Sequence, residues 1–312
     1  AVHSAEQMAG VTIDSVIASL AGSQPESRII QRDMSIGGGA IREADVKRLL
    51  HDGRVAADLD DRTLVHAIPV GFHVDGSPGV ADPRGMHAQN LSLKMHLVTA
   101  RTSGVQNLAR CVAKCHLEIR DLVVAPYAAG LSALVEDERD LGSVVIDMGG
   151  GTTSFAVFYE GAAVYTGCVP VGGMHVTSDI ARGLSTPLAH AEKLKTLHGS
   201  TMPTAADERE MLDVPQVGEE DGTPNRVPKS YLVSIIAPRI EETIELVRQR
   251  LDASGVAGVA GQRVVLTGGA SQLPGVREMA THILDKQVRF GRPLGIAGLA
   301  EATGGPAFAV GA

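Results

Sequence analysis

The 312-residue sequence has no tryptophan, five phenylalanines and four tyrosines. That leaves little material for aromatic platforms on which nucleobases stack. It also lacks any sustained Lys/Arg block, and 28 basic against 36 acidic residues give a formal charge of −8. Both facts speak against nucleic acid as the main partner. No apolar run approaches the roughly 20 residues that span a bilayer. The opening AVHSAEQMAG lacks the basic and apolar segments of a secretory leader. The three cysteines, Cys111, Cys115 and Cys168, are too few for a secreted disulfide framework. Cys111 and Cys115 lie four apart on a predicted helix and are expected as buried, reduced thiols, which fits a cytoplasmic location. Neither an H-E-x-x-H metal spacing nor a G-x-S-x-G nucleophile elbow occurs. His66 and His96 fall on predicted strands, where partly exposed sheet positions are expected.

What is present describes a globular chain: 44% apolar and 21% charged residues, with length enough for two sizeable domains. AVHSAEQMAG reads as the end of a helix and VTIDSVIASL as a strand. Residues from about 22 to 97 read as a small α+β module. In it a hairpin-like stretch leads to Gly37–Gly39, Val46, Leu49 and Leu50 share a helix face, and Leu91, Leu93, Met95 and Leu97 alternate as in a half-buried strand. Ser103 with Gln106 predicts a capping box opening a helix, and VEDERDLG reads as a solvated connection. SVVIDM is apolar almost throughout, as a central strand covered on both faces requires, with SFAVFYEG and AAVYTGCVPV as antiparallel neighbours. Helices follow around 176–197 and from Ser230, and the stretch VGEEDGTPNRVP between them is expected to be mobile.

Two glycine turns carry the chemistry. Asp147-Met148-Gly149-Gly150-Gly151-Thr152-Thr153 follows the apolar strand, and successive glycines let backbone amides face one anionic group. Thr152 and Thr153 could add hydroxyl donors, and Asp147 could hold Mg2+ through water or orient an attacking water. A purely structural glycine hairpin is the competing reading. The turn is neither a Walker loop nor a dinucleotide fingerprint. Leu266-Thr267-Gly268-Gly269-Ala270-Ser271 follows a second buried strand, and a helix predicted from Leu273 would aim its positive end at the same place. Gly172 and Gly173 could skirt a nucleotide, while Glu192 and Lys195, one helical turn apart, could reach its ribose and base or simply form an exposed ion pair.

Taken together and in order, HAIPVGFHVDG, DPRGM, VTARTSGVQNLARCV, EDERDLGSVVIDMGGGTTSFAVFYEGA, VPVGG, VTSDIARGLSTPLAHAEKLK and VVLTGGASQLPG resemble the FtsA family. These are the bacterial cell-division homologues of actin, within the actin/Hsp70/sugar-kinase superfamily. The resemblance covers nearly the whole chain. It implies an α/β, actin-like (ribonuclease H-like) two-lobed ATPase fold with a small inserted α+β module, an SHS2 domain. Residues 1–21 and 98–142 would form the first lobe's core, 22–97 the inserted module, 143–180 and 262–312 the second lobe's core, and 181–261 its upper subdomain. IDMGGGTT is similar to the family's second phosphate loop, LTGGASQLPG to its adenosine loop, and AEKLK to its nucleoside-contacting helix.

The implied function is that of an ATP- and Mg2+-binding protein that polymerises into filaments and links the FtsZ ring to the inner membrane and to later divisome proteins. The segment of Lys229, Tyr231 and Arg239 matches the region that receives the FtsZ C-terminal tail. Measured against the family pattern, the sequence opens after the first phosphate-loop hairpin and ends before the amphipathic C-terminal membrane helix. The first lobe is therefore expected to be incomplete, and membrane contact, on the cytoplasmic face at the division site, to need that helix. Ala125-Pro126 stands where many superfamily members carry a polar Gln or Glu beside the hydrolytic water, so weak or absent ATP hydrolysis is expected. A small-substrate kinase of the same superfamily and a nucleotide-independent truncated remnant are the alternatives.

Overall fold

The computed structural model describes residues 2–56, 59–218 and 224–312. Residues 219–223, within the stretch expected to be mobile, lie outside the described residues. The chain runs α1 (Val2–Ala9), β1 (Ser15–Leu20), β2 (Glu26–Ser35), α2 (Glu43–Val55), β3 (Arg62–Val74), β4 (Ser77–Val80), β5 (Asn90–Arg101), α3 (Thr102–Ala113), β6 (Glu118–Val124), α4 (Ala125–Ala133) and α5 (Glu136–Leu141). It continues through β7 (Ser143–Met148), β8 (Thr153–Tyr159), β9 (Ala162–Val169), α6 (Gly173–Leu184), α7 (Leu188–His198), β10 (Met211–Val214), β11 (Asn225–Pro228), α8 (Lys229–Ala253), β12 (Arg263–Thr267), α9 (Val276–Leu284) and β13 (Gln287–Phe290).

A five-stranded sheet in the order β13-β12-β7-β8-β9 organises the second half. All six residues of β7 are buried, because β12 pairs with it in parallel and β8 antiparallel while helices cover both faces. On one face, Ile180, Leu232, Ile236, Ile240 and Val247 from α6 and α8 pack with Val144, Ile146, Phe155 and Leu266. On the other face, α4 packs so closely that a Cβ on Gly130 would stand 2.2 Å from the Phe158 ring, so only glycine fits. Pro238 sits inside the 25-residue α8 without ending it.

The inserted module is a four-stranded antiparallel sheet, β2-β5-β3-β4, carrying α2 on one face. Its β2 pairs antiparallel with β5, from Glu26 with Thr99 to Ser35 with Asn90, and does not form the local hairpin expected before Gly37–Gly39. β1 and β6 pair in parallel as a separate two-stranded sheet.

Three local expectations fail. Cys111 and Cys115 are exposed, because α3 turns Val105 and Leu108 inward and leaves the cysteine side to solvent. His96 is fully buried, since β9 of the five-stranded sheet covers the face of β5 that alternation assigns to solvent. No capping box forms at Ser103: Arg101 is the N-cap of α3 and makes no side-chain cap bond. The expected solvated connection is largely exposed, as at Glu136, Asp137 and Asp140, but it is the short helix α5, whose Glu138 is mostly buried and pairs with Arg289 and Arg263.

Candidate functional site

The site forms where β7 and β12, lying side by side, each run into a glycine turn, at Gly149 and Gly268. A Cβ on Gly268 would stand 2.4 Å from the Met148 carbonyl oxygen and 2.7 Å from Asp147 Oδ1. Gly268 also holds φ +84°, a left-handed conformation that strains other residues. Both properties require glycine, and together they bring the two turns into contact.

The Gly149–Gly151 turn owes its shape to α6. Gly173 N–H donates to the Gly149 carbonyl at 2.9 Å, and Met174 N–H to the Gly150 carbonyl at 2.8 Å. A trans peptide points its N–H opposite its carbonyl. The amides of Gly150 and Gly151 therefore face away from α6, and among the described residues they meet no protein acceptor. Gly172 permits this approach, because a Cβ there would stand 2.6 Å from the Gly149 oxygen. Gly149 N–H is used internally, donating to the Thr152 carbonyl at 2.9 Å.

A cavity of about 770 Å3 opens here, and its walls include Gly149, Gly150, Gly173, Glu192, Lys195, Gly269 and Ala270. Gly173 bridges its two sides, as a Cβ there would come 3.2 Å from the Ala270 methyl and 3.6 Å from Lys195 Nζ. Lys195 Nζ donates to Glu192 Oε2 at 2.7 Å, to Thr177 Oγ1 at 2.9 Å and to the Gly173 carbonyl at 3.1 Å. Thr177 in turn donates to Glu192 at 2.5 Å. Burial disfavours ionisation of Glu192, but the bonds from Lys195 and Thr177 outweigh it and hold the carboxyl below its ordinary value. The two form an i,i+3 ion pair on the wall, with Lys195 mostly buried and Glu192 about half exposed.

Asp147, Gly151, Thr152, Thr153, Gly172 and Gly268 are not among the residues facing the cavity. Asp147 lies just behind it at the end of β7. Burial pushes its carboxyl up to about 6, offset only in part by the Thr267 hydroxyl. Thr152 spends its hydroxyl on the Ala21 carbonyl at 3.0 Å. Thr153 is buried in β8, and its hydroxyl finds no partner there.

The helix expected from Leu273 begins instead at Val276. Its N-cap, Gly275, lies against Thr201 and Met202, one residue beyond Pro274 on the cavity wall. A 3-10 turn over Gly269–Gln272 lines the wall in its place. Leu273 and Pro274 of the LTGGASQLPG segment form part of an apolar floor, and sequence reasoning missed the rest of it, Met174, Val176, Leu188 and Ile240. Met174, the first side chain after the Gly172-Gly173 pair, was the available signal.

Lys229, Tyr231 and Arg239 all lie on α8. Lys229 pairs with Asp207 at 3.3 Å and Glu210 at 2.9 Å. Arg239 pairs with Asp179 and Glu242, each at 2.5 Å. Tyr231 is exposed, and its hydroxyl lies 3.5 Å from the Gly183 carbonyl. Ala125 is buried at the start of α4. Among the described residues, no group of three or more His, Cys, Asp or Glu side chains could hold a metal ion, and no helix is long and apolar enough to cross a membrane.

Comparison with known proteins adds a consistent picture. Residues 144–312 match the family model described as cell division protein FtsA, and residues 22–99 match the SHS2 domain inserted in FtsA. The chain is 46% identical over 309 residues to the cell division protein FtsA of Rhizobium meliloti (strain 1021), covering 99% of this chain and 70% of that one. It is 33% identical over 308 residues to the protein of the same name from Escherichia coli (strain K12), covering 96% and 73%. Among solved structures, the PilM-PilN type IV pilus biogenesis complex contains a chain that superposes with a TM-score of 0.64 at 18% identity. That match covers 98% of this chain and 80% of the other, and it shows a shared fold, the actin-like one.

Proposed function

The chain belongs to the FtsA family of actin-like cell-division proteins, and from that premise we propose that its cleft binds ATP with Mg2+ and uses the nucleotide to control self-association. The observation that carries the reading is the convergence of the two glycine turns on one cavity, with the amide of Gly150, on its wall, left without a protein acceptor among the described residues. Donors of this kind, fixed by α6 and needing no rearrangement, suit a phosphate chain. The apolar floor of Ile240, Leu273 and Pro274 suits a flat base, and the Glu192–Lys195 unit suits ribose hydroxyls.

The residues present fit Mg2+ only through water. Asp147 is a single carboxylate set behind the cavity wall, so it would orient coordinated water and not enclose the ion. When bound, the ion supplies charge neutralisation to the phosphates. Ala125 offers no side chain to polarise an attacking water, which supports binding with little hydrolysis.

In this reading the α8 face around Tyr231 receives the C-terminal tail of FtsZ, and the inserted module takes part in filament contacts and in contacts with later divisome proteins. Action on the cytoplasmic face of the inner membrane follows from the same family role. Calorimetric titration with ATP and Mg2+, paired with sedimentation with and without nucleotide, tests the proposal. Saturable binding with nucleotide-dependent assembly is expected, and absence of any heat or assembly in the folded chain would refute it.

A further inference from the structure

We propose that a second cavity, between the inserted module and α8, is a binding site for a small multivalent oxyanion, a phosphate or a di- or tricarboxylate. It encloses about 320 Å3, a volume suited to a compact ligand. Arg28 from β2, Arg62 from β3 and Arg250 from α8 line it, together with Ser27, Thr99 and Thr166. Glu26 is the one carboxylate on these walls. Among the described residues, Arg28 and Arg250 have no carboxylate within 4.0 Å. Three guanidinium groups therefore meet a single negative charge, in a chain that is acidic as a whole.

Arg62 is the built part of the site. Its side chain is 13% exposed. Its Nε donates to Thr99 Oγ1 at 2.8 Å, and its Nη2 donates to the carbonyls of Gln24 at 2.6 Å and Thr99 at 3.1 Å. The remaining nitrogen, Nη1, meets Glu26 at 2.9 Å. Glu26 is itself 65% exposed, so solvent weakens this pair and an incoming anion can compete for the same nitrogen. Planar guanidinium forks match carboxylate and phosphate oxygens in pairs, and a fixed fork loses little freedom on binding.

The walls come from both units, β2 and β3 of the module and β9 and α8 of the second lobe. A bound anion therefore bridges them beside the Ser27 contact with β9. The inference stands apart from the nucleotide reading, because none of these residues lines the nucleotide cleft.

The test is calorimetric titration of the full chain with inorganic phosphate and, separately, with citrate, at constant ionic strength maintained with chloride. Saturable binding of at least one probe is expected, with a matching rise in melting temperature. Because Arg28 and Arg250 are exposed, the Arg28→Gln and Arg250→Gln variants, singly and together, should keep the fold. The double variant should bind the probe at least roughly tenfold more weakly. The ligand-free melting temperatures check folding, and the single variants serve if the double variant is unstable. Whichever probe binds more tightly assigns the class. Silence with both probes, equal affinity in the variants, or equal stabilisation by chloride overturns the proposal.

Discussion

His96 and Ala163 are joined across the boundary between the inserted module and the five-stranded sheet, the imidazole Nδ1 lying 2.8 Å from the Ala163 carbonyl oxygen. A carbonyl only accepts, so Nδ1 carries the proton. Nε2 then accepts from the Ser27 hydroxyl at 2.5 Å. Ser27 Oγ also accepts from the Thr166 amide at 3.1 Å. One histidine and one serine thus satisfy two backbone groups on β9 that face the module.

This neutral tautomer sets a pH dependence. Burial lowers the His96 pKa to about 4 against an ordinary 6.5. A depressed value means stability is full above 6.5 and is lost as pH falls toward 4, by up to about 3 kcal/mol. Because Asp147 contributes with the opposite sign in part of this window, urea unfolding between pH 7 and pH 4.5 should show that loss as the difference in pH slope between the parent and His96→Phe. His96→Phe should be less stable at pH 7 but flatter across the window. An identical pH slope in the variant would refute the assignment.

Asp147 should act with the opposite sign. Its carboxyl is raised to about 6, so its ionisation opposes folding increasingly as pH climbs from 3.8 through 6. Asp147→Asn is therefore expected to stabilise the nucleotide-free chain at pH 7.5, by at most about 3 kcal/mol, and to change little near pH 3.5. The same variant should lose the Mg2+ dependence of ATP binding. Denaturant melts and titrations with and without Mg2+ measure the two effects.

Gly268→Ala tests the meeting of the turns. The new methyl would be driven against the Met148 carbonyl in a left-handed backbone, costing about 2 kcal/mol or more. Melting temperature should fall, and ATP affinity should fall even under conditions where the variant is fully folded. At Gly269 a methyl meets open space, so Gly269→Ala should leave stability nearly unchanged.

Lys195→Met removes three hydrogen bonds at one stroke and leaves Glu192 with only Thr177. ATP affinity is expected to drop roughly tenfold or more. Glu192→Gln should cost less, because the amide oxygen still accepts from Lys195. A reversed order of the two losses would assign the ribose contact elsewhere.

On α8 the two side chains should separate. Tyr231→Ala, at an exposed position, is expected to weaken binding of an FtsZ-tail peptide while leaving the melting temperature within about 2 °C of the parent. Arg239→Ala breaks the partly buried pair with Asp179 and should lower stability by about 1–3 kcal/mol. Fluorescence anisotropy with a labelled peptide, beside thermal melts, distinguishes a contact residue from a structural one.

Local pattern revealed β7 as a central strand, because an apolar run without alternation is what two covered faces require. Pairings across long stretches of chain were not legible: β12 with β7, β1 with β6 and β2 with β5 depend on tertiary packing. His96 shows the physical reason for one failure. Leu91, Leu93, Met95 and Leu97 point to one face of β5, and alternation assigns His96 to solvent. Alternation cannot report that β9 of a separate sheet covers the second face. Of the cavity, the glycine turns and the Glu192–Lys195 pair were visible as strings, whereas Ile240 arrives from a distant segment and carries no local mark.

Helix α6 has a mechanical consequence. It is a 12-residue rod, about 18 Å long. At one end it grips the carbonyls of Gly149 and Gly150. Toward the other it carries Asp179, clamped to Arg239, and Gly183, beside the Tyr231 hydroxyl. One continuous helix therefore anchors both the backbone of the glycine turn and the outer surface of α8.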